Sequence, residues 1–259
     1  MIGDIKHIVI IESLKKGEKL TGHELYHDCI RRRIDFQNKP FTHKYYSISS
    51  KHQLSELLKF YQINAPYLRG GLLLHFEMHG SEIMDGLVLS NNSLVEWAEL
   101  VDQFRPINIA TCNELFVTMA TCYGRYLYEG IVDPYQKSPY SGYVSANKAV
   151  NPIDIIDKFT ILFESLINKG NLVEAYQEME EADSHFYYKD LKTNAMEAFQ
   201  SVYNRFAGDA ELKAKLIEEA KQMDEQIHLD NNSSELIFQE VFSDMFRKHI
   251  QAFDFSDCM

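Results

Sequence analysis

The sequence predicts an α/β protein built on a mostly parallel central sheet, followed by an α-helical C-terminal extension. Three observations carry that expectation. Over the first two-thirds of the chain, apolar runs of strand length alternate with stretches of helical periodicity. The first of them, Ile8 to Ile11, is apolar without interruption, as a strand covered on both faces is. From about residue 171 onward the strand signal stops and helical spacing alone remains, which predicts a domain over 1–180 and a helical extension over 181–259.

The elements follow in order. Ile8-Val9-Ile10-Ile11 is short, apolar and β-branched, and reads as a buried parallel strand. Residues 21–36 put Leu25, Cys29, Ile30 and Ile34 on one helical face, and residues 41–48 alternate like a strand. A helix over 51–61 follows, with Leu54, Leu57, Leu58 and Tyr61 at helical spacing. Residues 71–77 form the next strand, which ends in Met78-His79-Gly80. Ser93 with Glu96 three residues on predicts a capping box that opens a helix over 93–104. Leu115 to Ala120 is a further buried strand, ending in Thr121-Cys122-Tyr123-Gly124. Turn signals occupy 129–139, a strand 140–146 and an amphipathic helix 154–168. Helical segments are then predicted near 171–183, 187–206, 209–228 and 233–253, with no strand among them.

Composition narrows the function. The 259 residues with 45% hydrophobic and 12% aromatic side chains suffice for one large core and an appended piece. A net charge of −12 speaks against nucleic acid as a partner. Arg31-Arg32-Arg33 falls at the end of a helix, where cations complement the dipole. No apolar run approaches the ~20 residues of a membrane helix, and no signal peptide is apparent. Cys29, Cys112, Cys122 and Cys258 are scattered without a CxxC pair, so a disulfide scaffold or zinc site is not expected and a reducing cytoplasm is.

Chemistry gathers at the carboxyl ends of parallel strands. Two strands here end in reactive sequence, His79-Gly80 and Cys122-Tyr123-Gly124. As neighbours in the sheet, with strands ~4.8 Å apart, they bring an imidazole beside a thiol. A cysteine becomes a strong nucleophile on deprotonation, which a nearby histidine supports. Gly80 permits a sharp turn, and the Gly80 and Cys122 amides are placed to converge as an oxyanion hole. Gly124 lets the chain leave the strand without a Cβ.

His-Gly at one strand end, a small residue followed by Cys-x-Gly at the next, and 43 residues between His79 and Cys122 (122 minus 79) resemble the caspase and CHAT branch of the clan CD cysteine proteases. Ala120-Thr121-Cys122-Tyr123-Gly124 departs from the strict caspase Gln-Ala-Cys-x-Gly, which favours a bacterial caspase-like or CHAT-type relative. The resemblance covers about residues 5–180, including Trp97 between the two strands, the Tyr143 strand and the helix from Pro152. It implies a caspase-like three-layer fold and hydrolysis of a protein substrate by a His79/Cys122 dyad. It implies no cofactor or metal, and a place in a defence system that activates a toxic or pore-forming protein. The rival expectation is a silent scaffold that binds partners, through its helical tail among other surfaces.

Other candidates are weaker. Cys112 repeats the Ala-Thr-Cys context but precedes the strand that Cys122 ends, about 20 Å away. His75 lies within its strand and reads as core or as a support behind the site. Glu77 becomes a helper of His79 if the pleat continues unbroken. Asp85 and Asp133, in loops, are the acids nominated for a substrate pocket, while Arg125 leaves the sign of the preferred side chain open. His23 and His27 lack a third metal ligand, and Gly70-Gly71 does not join a strand to a helix as a phosphate loop does. Aromatics of the tail, from Phe186 to Phe253, are expected to pack.

Overall fold

The computed structural model describes residues 3–182, 184–223 and 234–258. It is α/β, with a mostly parallel central sheet. Strands β1 (His7–Ser13), β2 (Thr42–Ser47), β3 (Leu72–Gly80), β6 (Leu115–Met119), β7 (Gly142–Ala146) and β8 (Phe186–Asp190) pair in the order β2-β1-β3-β6-β7-β8. All neighbours are parallel except β7 and β8. A small antiparallel hairpin, β4 (Gly86–Val88) and β5 (Leu94–Glu96), is attached where β3 ends.

Both faces of the sheet are covered. On one, Ile8, Ile10, Leu73 and Phe116 pack against Leu25 and Ile30 of the first helix. Phe159 and Phe163 of α5 (Pro152–Lys169), with Leu172 and Met179 of α6 (Leu172–Glu181), complete that layer. On the other face, Phe76 meets Phe104 of α4 (Trp97–Ala110) with ring centroids 5.6 Å apart, and α3 (Lys51–Asn64) buries Leu54, Leu58 and Tyr61. The first helix is continuous but composite, α1 (Thr21–Glu24), a π-helical Leu25–Arg31 and α2 (Arg32–Gln37). Asparagines start the last two helices of this layer. Asn151 accepts from the Ile153 and Asp154 amides, each at 2.9 Å, ahead of Pro152. Asn171 does the same for α6. Each such cap contributes about 1 kcal/mol.

Three elements differ from the expectation. Residues 94–96 are a strand, because Leu94-Val95-Glu96 pairs with the hairpin partner. The capping box is Glu96 with Glu99, at the same spacing as Ser93 with Glu96, and α4 starts at Trp97. Phe186–Asp190 is a strand where helix was expected. It is an edge strand that buries Phe186 under α5 and leaves Tyr187 and Lys189 outward, so only half of it carries an apolar signal.

The chain divides into two compact units. The first comprises residues 1–133, 138–191 and 255–259, the second 134–137 and 192–254. The second contains most of α7 (Leu191–Gly208), α8 (Ala210–Met223) and α9 (Ser234–Gln251). Its small core is Ile217, Ile237, Phe238 and Phe242, flanked by Phe199, Tyr203 and Phe206. The expected segments 209–228 and 233–253 extend onto residues 224–233, which lie outside the described residues. Among the described residues, no helix is long and apolar enough to cross a membrane.

Candidate active site

The site is set by register. The β3–β6 ladder ends at Phe76 opposite Met119, and the Ala120 amide donates to the Phe76 carbonyl at 2.9 Å. His79 lies three residues beyond Phe76 (79 minus 76) and Cys122 three beyond Met119 (122 minus 119). The two strands thus part at the same height, β3 continuing beside β1 to Met78 and then into the hairpin with β4, and His79 and Cys122 stand at the same offset past the parting. The backbones meet there. A Cβ on Gly80 would stand 1.9 Å from the Cys122 carbonyl oxygen, so Gly80 is required at this crossing.

Past Met119 the chain turns through Thr121 and Cys122 into Tyr123, which has φ +59°. A tyrosine in left-handed conformation costs about 1–2 kcal/mol, and such strain gathers where a turn must present one side chain. Here the side chain is Cys122, which is half-buried, its Sγ directed to the Val150 carbonyl at 4.0 Å. The Tyr123 amide donates to the Lys148 carbonyl, so residues 148–150 border the thiol. Among the described residues no acceptor takes the Cys122 N–H. A Cβ on Gly124 would press on the Cβ atoms of Met119 and Ser145, each at 3.2 Å, so the glycine fits the turn closely onto the sheet.

His79 is exposed on its side of the turn and is pinned by an acid from a third element. Both carboxylate oxygens of Glu18 lie 3.1 Å from its Nε2. Glu18 belongs to the loop between β1 and α1, which turns at Gly17 with φ +96°. Partial burial works against its charge, but the Lys15 amide and His79 hold its carboxyl below the ordinary carboxylate value. An ionised carboxylate only accepts, so Nε2 carries a proton, and in the neutral imidazole Nδ1 is then the nitrogen with the lone pair. The sequence carried one signal for Glu18: β1 feeds its following loop to the same sheet edge as β3. Strand order, which makes β1 and β3 neighbours, is needed to use it.

Glu77 is not the helper of His79. It is buried, and Oε1 lies 3.0 Å from His75 Nε2 while Oε2 accepts from Thr21 Oγ1 at 2.7 Å. His75 is fully buried, with Nδ1 2.7 Å from Thr118 Oγ1. Opposite Glu77 in the ladder stands Glu12, which accepts from the Gly22 and His23 amides and from Tyr45 Oη. Burial raises the Glu77 carboxyl above its ordinary value, against the pull of His75 and Thr21.

The remaining candidates separate. Cys112 sits in the turn before β6, at the opposite end of that strand from Cys122. Asp85 lies in the turn before β4, on the hairpin that pairs with His79 and Gly80. Its Oδ1 is buried without a hydrogen bond, while its carbonyl accepts from the Trp97 amide. Asp133 acts on Arg105 of α4, whose guanidinium burial disfavours and which Asp102 and Asp133 help to keep charged. The His23 and His27 rings lie 4.3 Å apart between centroids, tilted by 40°. Among the described residues, no group of three His, Cys, Asp or Glu side chains could hold a metal ion. No family model and no curated protein matches this chain.

Proposed function

We propose that the chain is a caspase-like, CHAT-type cysteine endopeptidase in which Cys122 is the nucleophile and His79 the acid–base. The observation that carries this reading is the equal offset of the two residues past the last paired couple of β3 and β6, with their backbones in contact through Gly80. The order of the strands, the three layers and the residue motifs are compatible with the caspase-like fold that the sequence resembles.

The chemistry follows from the side chains. Glu18 orients the imidazole with its proton on Nε2, and Nδ1 takes the thiol proton. The Cys122 thiolate attacks the scissile carbonyl. The oxyanion is received by the Cys122 and Gly80 amides, a contribution of about 3 kcal/mol per donor in acyl-transfer sites. The imidazolium then protonates the leaving amine, and water attacks the thioester with the imidazole as base, restoring the thiol. No step calls for a metal or cofactor. Reactive thiol chemistry of this kind suits a reducing cytoplasm, and the family resemblance extends the proposal to activation of a toxic or pore-forming partner in bacterial defence.

The test is cleavage of a positional-scanning peptide library by the purified chain, together with labelling by an electrophilic thiol probe. Cys122→Ala and His79→Ala each abolish cleavage, and Cys112→Ala does not. An inert Cys122 in the folded wild-type protein would overturn the proposal in favour of a scaffold.

A further inference from the structure

A second sulfur site lies at the far end of β6. Cys112 follows α4 in a tight turn, with φ +59° at Cys112 and +64° at Asn113. The chain returns to the first unit at Phe255, after the helices of the second unit. There Cys258 comes to rest against the Cys112 turn. The contacts are reciprocal. Cys112 Sγ lies 3.3 Å from the Cys258 carbonyl oxygen, and Cys258 Sγ lies 3.4 Å from the Ile109 carbonyl. That same Ile109 oxygen receives the Cys112 amide at 3.1 Å, so both cysteines converge on one atom. Arg69 also donates to the Cys258 carbonyl at 3.2 Å, which holds the returning segment in register.

We propose that Cys112 and Cys258 are a redox-modification site, joined as a disulfide by a peroxide and released by a dithiol. A disulfide needs Cα atoms about 5.5 Å apart, and the placement of each thiol within 3.4 Å of a carbonyl of the other's turn is the observation that carries the pairing. The reaction balances with hydrogen peroxide as oxidant. Two S–H bonds break and one S–S bond forms. The two electrons and two protons pass to the peroxide, whose O–O bond breaks to give two waters. Both thiols are partly accessible, in contrast to buried Cys29, whose thiol burial pushes up to about 12. The bond spans a sequence separation of 146. Because the chain leaves the first unit after Leu191 and returns at Phe255, it closes residues 192–254 within a covalent loop. The inference stands apart from the peptidase reading, since Cys122 lies beyond the other end of β6.

The experiment uses the full chain carrying Cys122→Ala, which removes the other reactive thiol and leaves three of the four cysteines. After treatment with hydrogen peroxide and quenching, denatured protein is alkylated and mapped by mass spectrometry without reductant. The expected result is loss of two of the three thiols, one cross-linked peptide containing Cys112 and Cys258, and full recovery with dithiothreitol. Adding Cys112→Ser or Cys258→Ser removes the cross-link while the chain stays folded by circular dichroism. Recovery of Cys112 and Cys258 as separate thiols or separate sulfinic acids, or a cross-link to Cys29, would overturn the proposal.

Discussion

Gly80→Ala is the sharpest probe of the strand-end geometry. The new Cβ would lie 1.9 Å from the Cys122 carbonyl oxygen, 2.9 Å from its carbon and 3.1 Å from Thr121 Oγ1. Ordinary contact begins near 3.4 Å, so the two strand ends must separate by about 1.5 Å (3.4 minus 1.9). The obstacle is backbone, which no rotamer change removes. Overpacking of this kind costs about 1–3 kcal/mol, and 2 kcal/mol corresponds to roughly 4–8 °C in Tm for a unit of this size. Activity is more sensitive, because a displacement of about 1 Å at reacting groups costs about 100-fold. Peptide cleavage by Gly80→Ala is therefore expected to fall about 100-fold in kcat with the chain still folded. Gly208→Ala serves as control, since a Cβ there meets nothing within 4 Å. If Gly80→Ala kept full kcat, the contact between the two strand ends would not position the chemistry, and the reasoning from register would be refuted.

Further expectations concern the acids and the caps. Glu18→Gln removes the charge that fixes the His79 tautomer and lowers kcat about 10- to 100-fold with little change in KM, read from steady-state kinetics. Because the folded carboxyl of Glu18 lies below its ordinary value, its stabilisation is present above pH ~4.3 and is lost as pH falls through the lower, folded value. The gap in urea midpoint between wild type and Glu18→Gln should thus hold from neutral pH to about 4 and close below it. Glu77→Ala strips the acceptor from buried His75 and Thr21 and destabilises by about 3 kcal/mol in urea, while Glu77→Gln, which keeps an acceptor, costs less. Asn151→Ala removes the cap of α5 and costs about 1 kcal/mol in the same titration.

The readable parts of the site were those written in short stretches of chain. His79-Gly80 and Cys122-Tyr123-Gly124 each close an apolar run, and a parallel ladder converts that linear position into a shared height. β8 was not readable, because Phe186-Tyr187-Tyr188 holds three aromatics in a row and burial, not period, decides which face each takes. The start of α4 was ambiguous for a different reason. Ser93 with Glu96 and Glu96 with Glu99 have identical spacing, and only the pairing of residues 94–96 with the β4 strand selects the second.

The two glutamates near the site show why proximity in sequence misled. Glu77 is two residues from His79, yet the ladder sets it opposite Glu12 and beneath the start of α1. A buried carboxylate there must be satisfied, and His75 with Thr21 satisfies it. The Gly22 and His23 amides and Tyr45 do the same for Glu12. A Cβ on Gly22 would lie 2.8 Å from Glu77 Cγ, so that helix start is fitted closely over both acids. The consequence reaches the surface. Residues 14–20 run between Ser13, at the buried end of β1, and Thr21, tied to Glu77, so both ends of the loop are fixed. An exposed seven-residue segment can then hold Glu18 against His79 without ordering itself anew, and much of the entropy that would otherwise oppose that contact is removed by the buried pair.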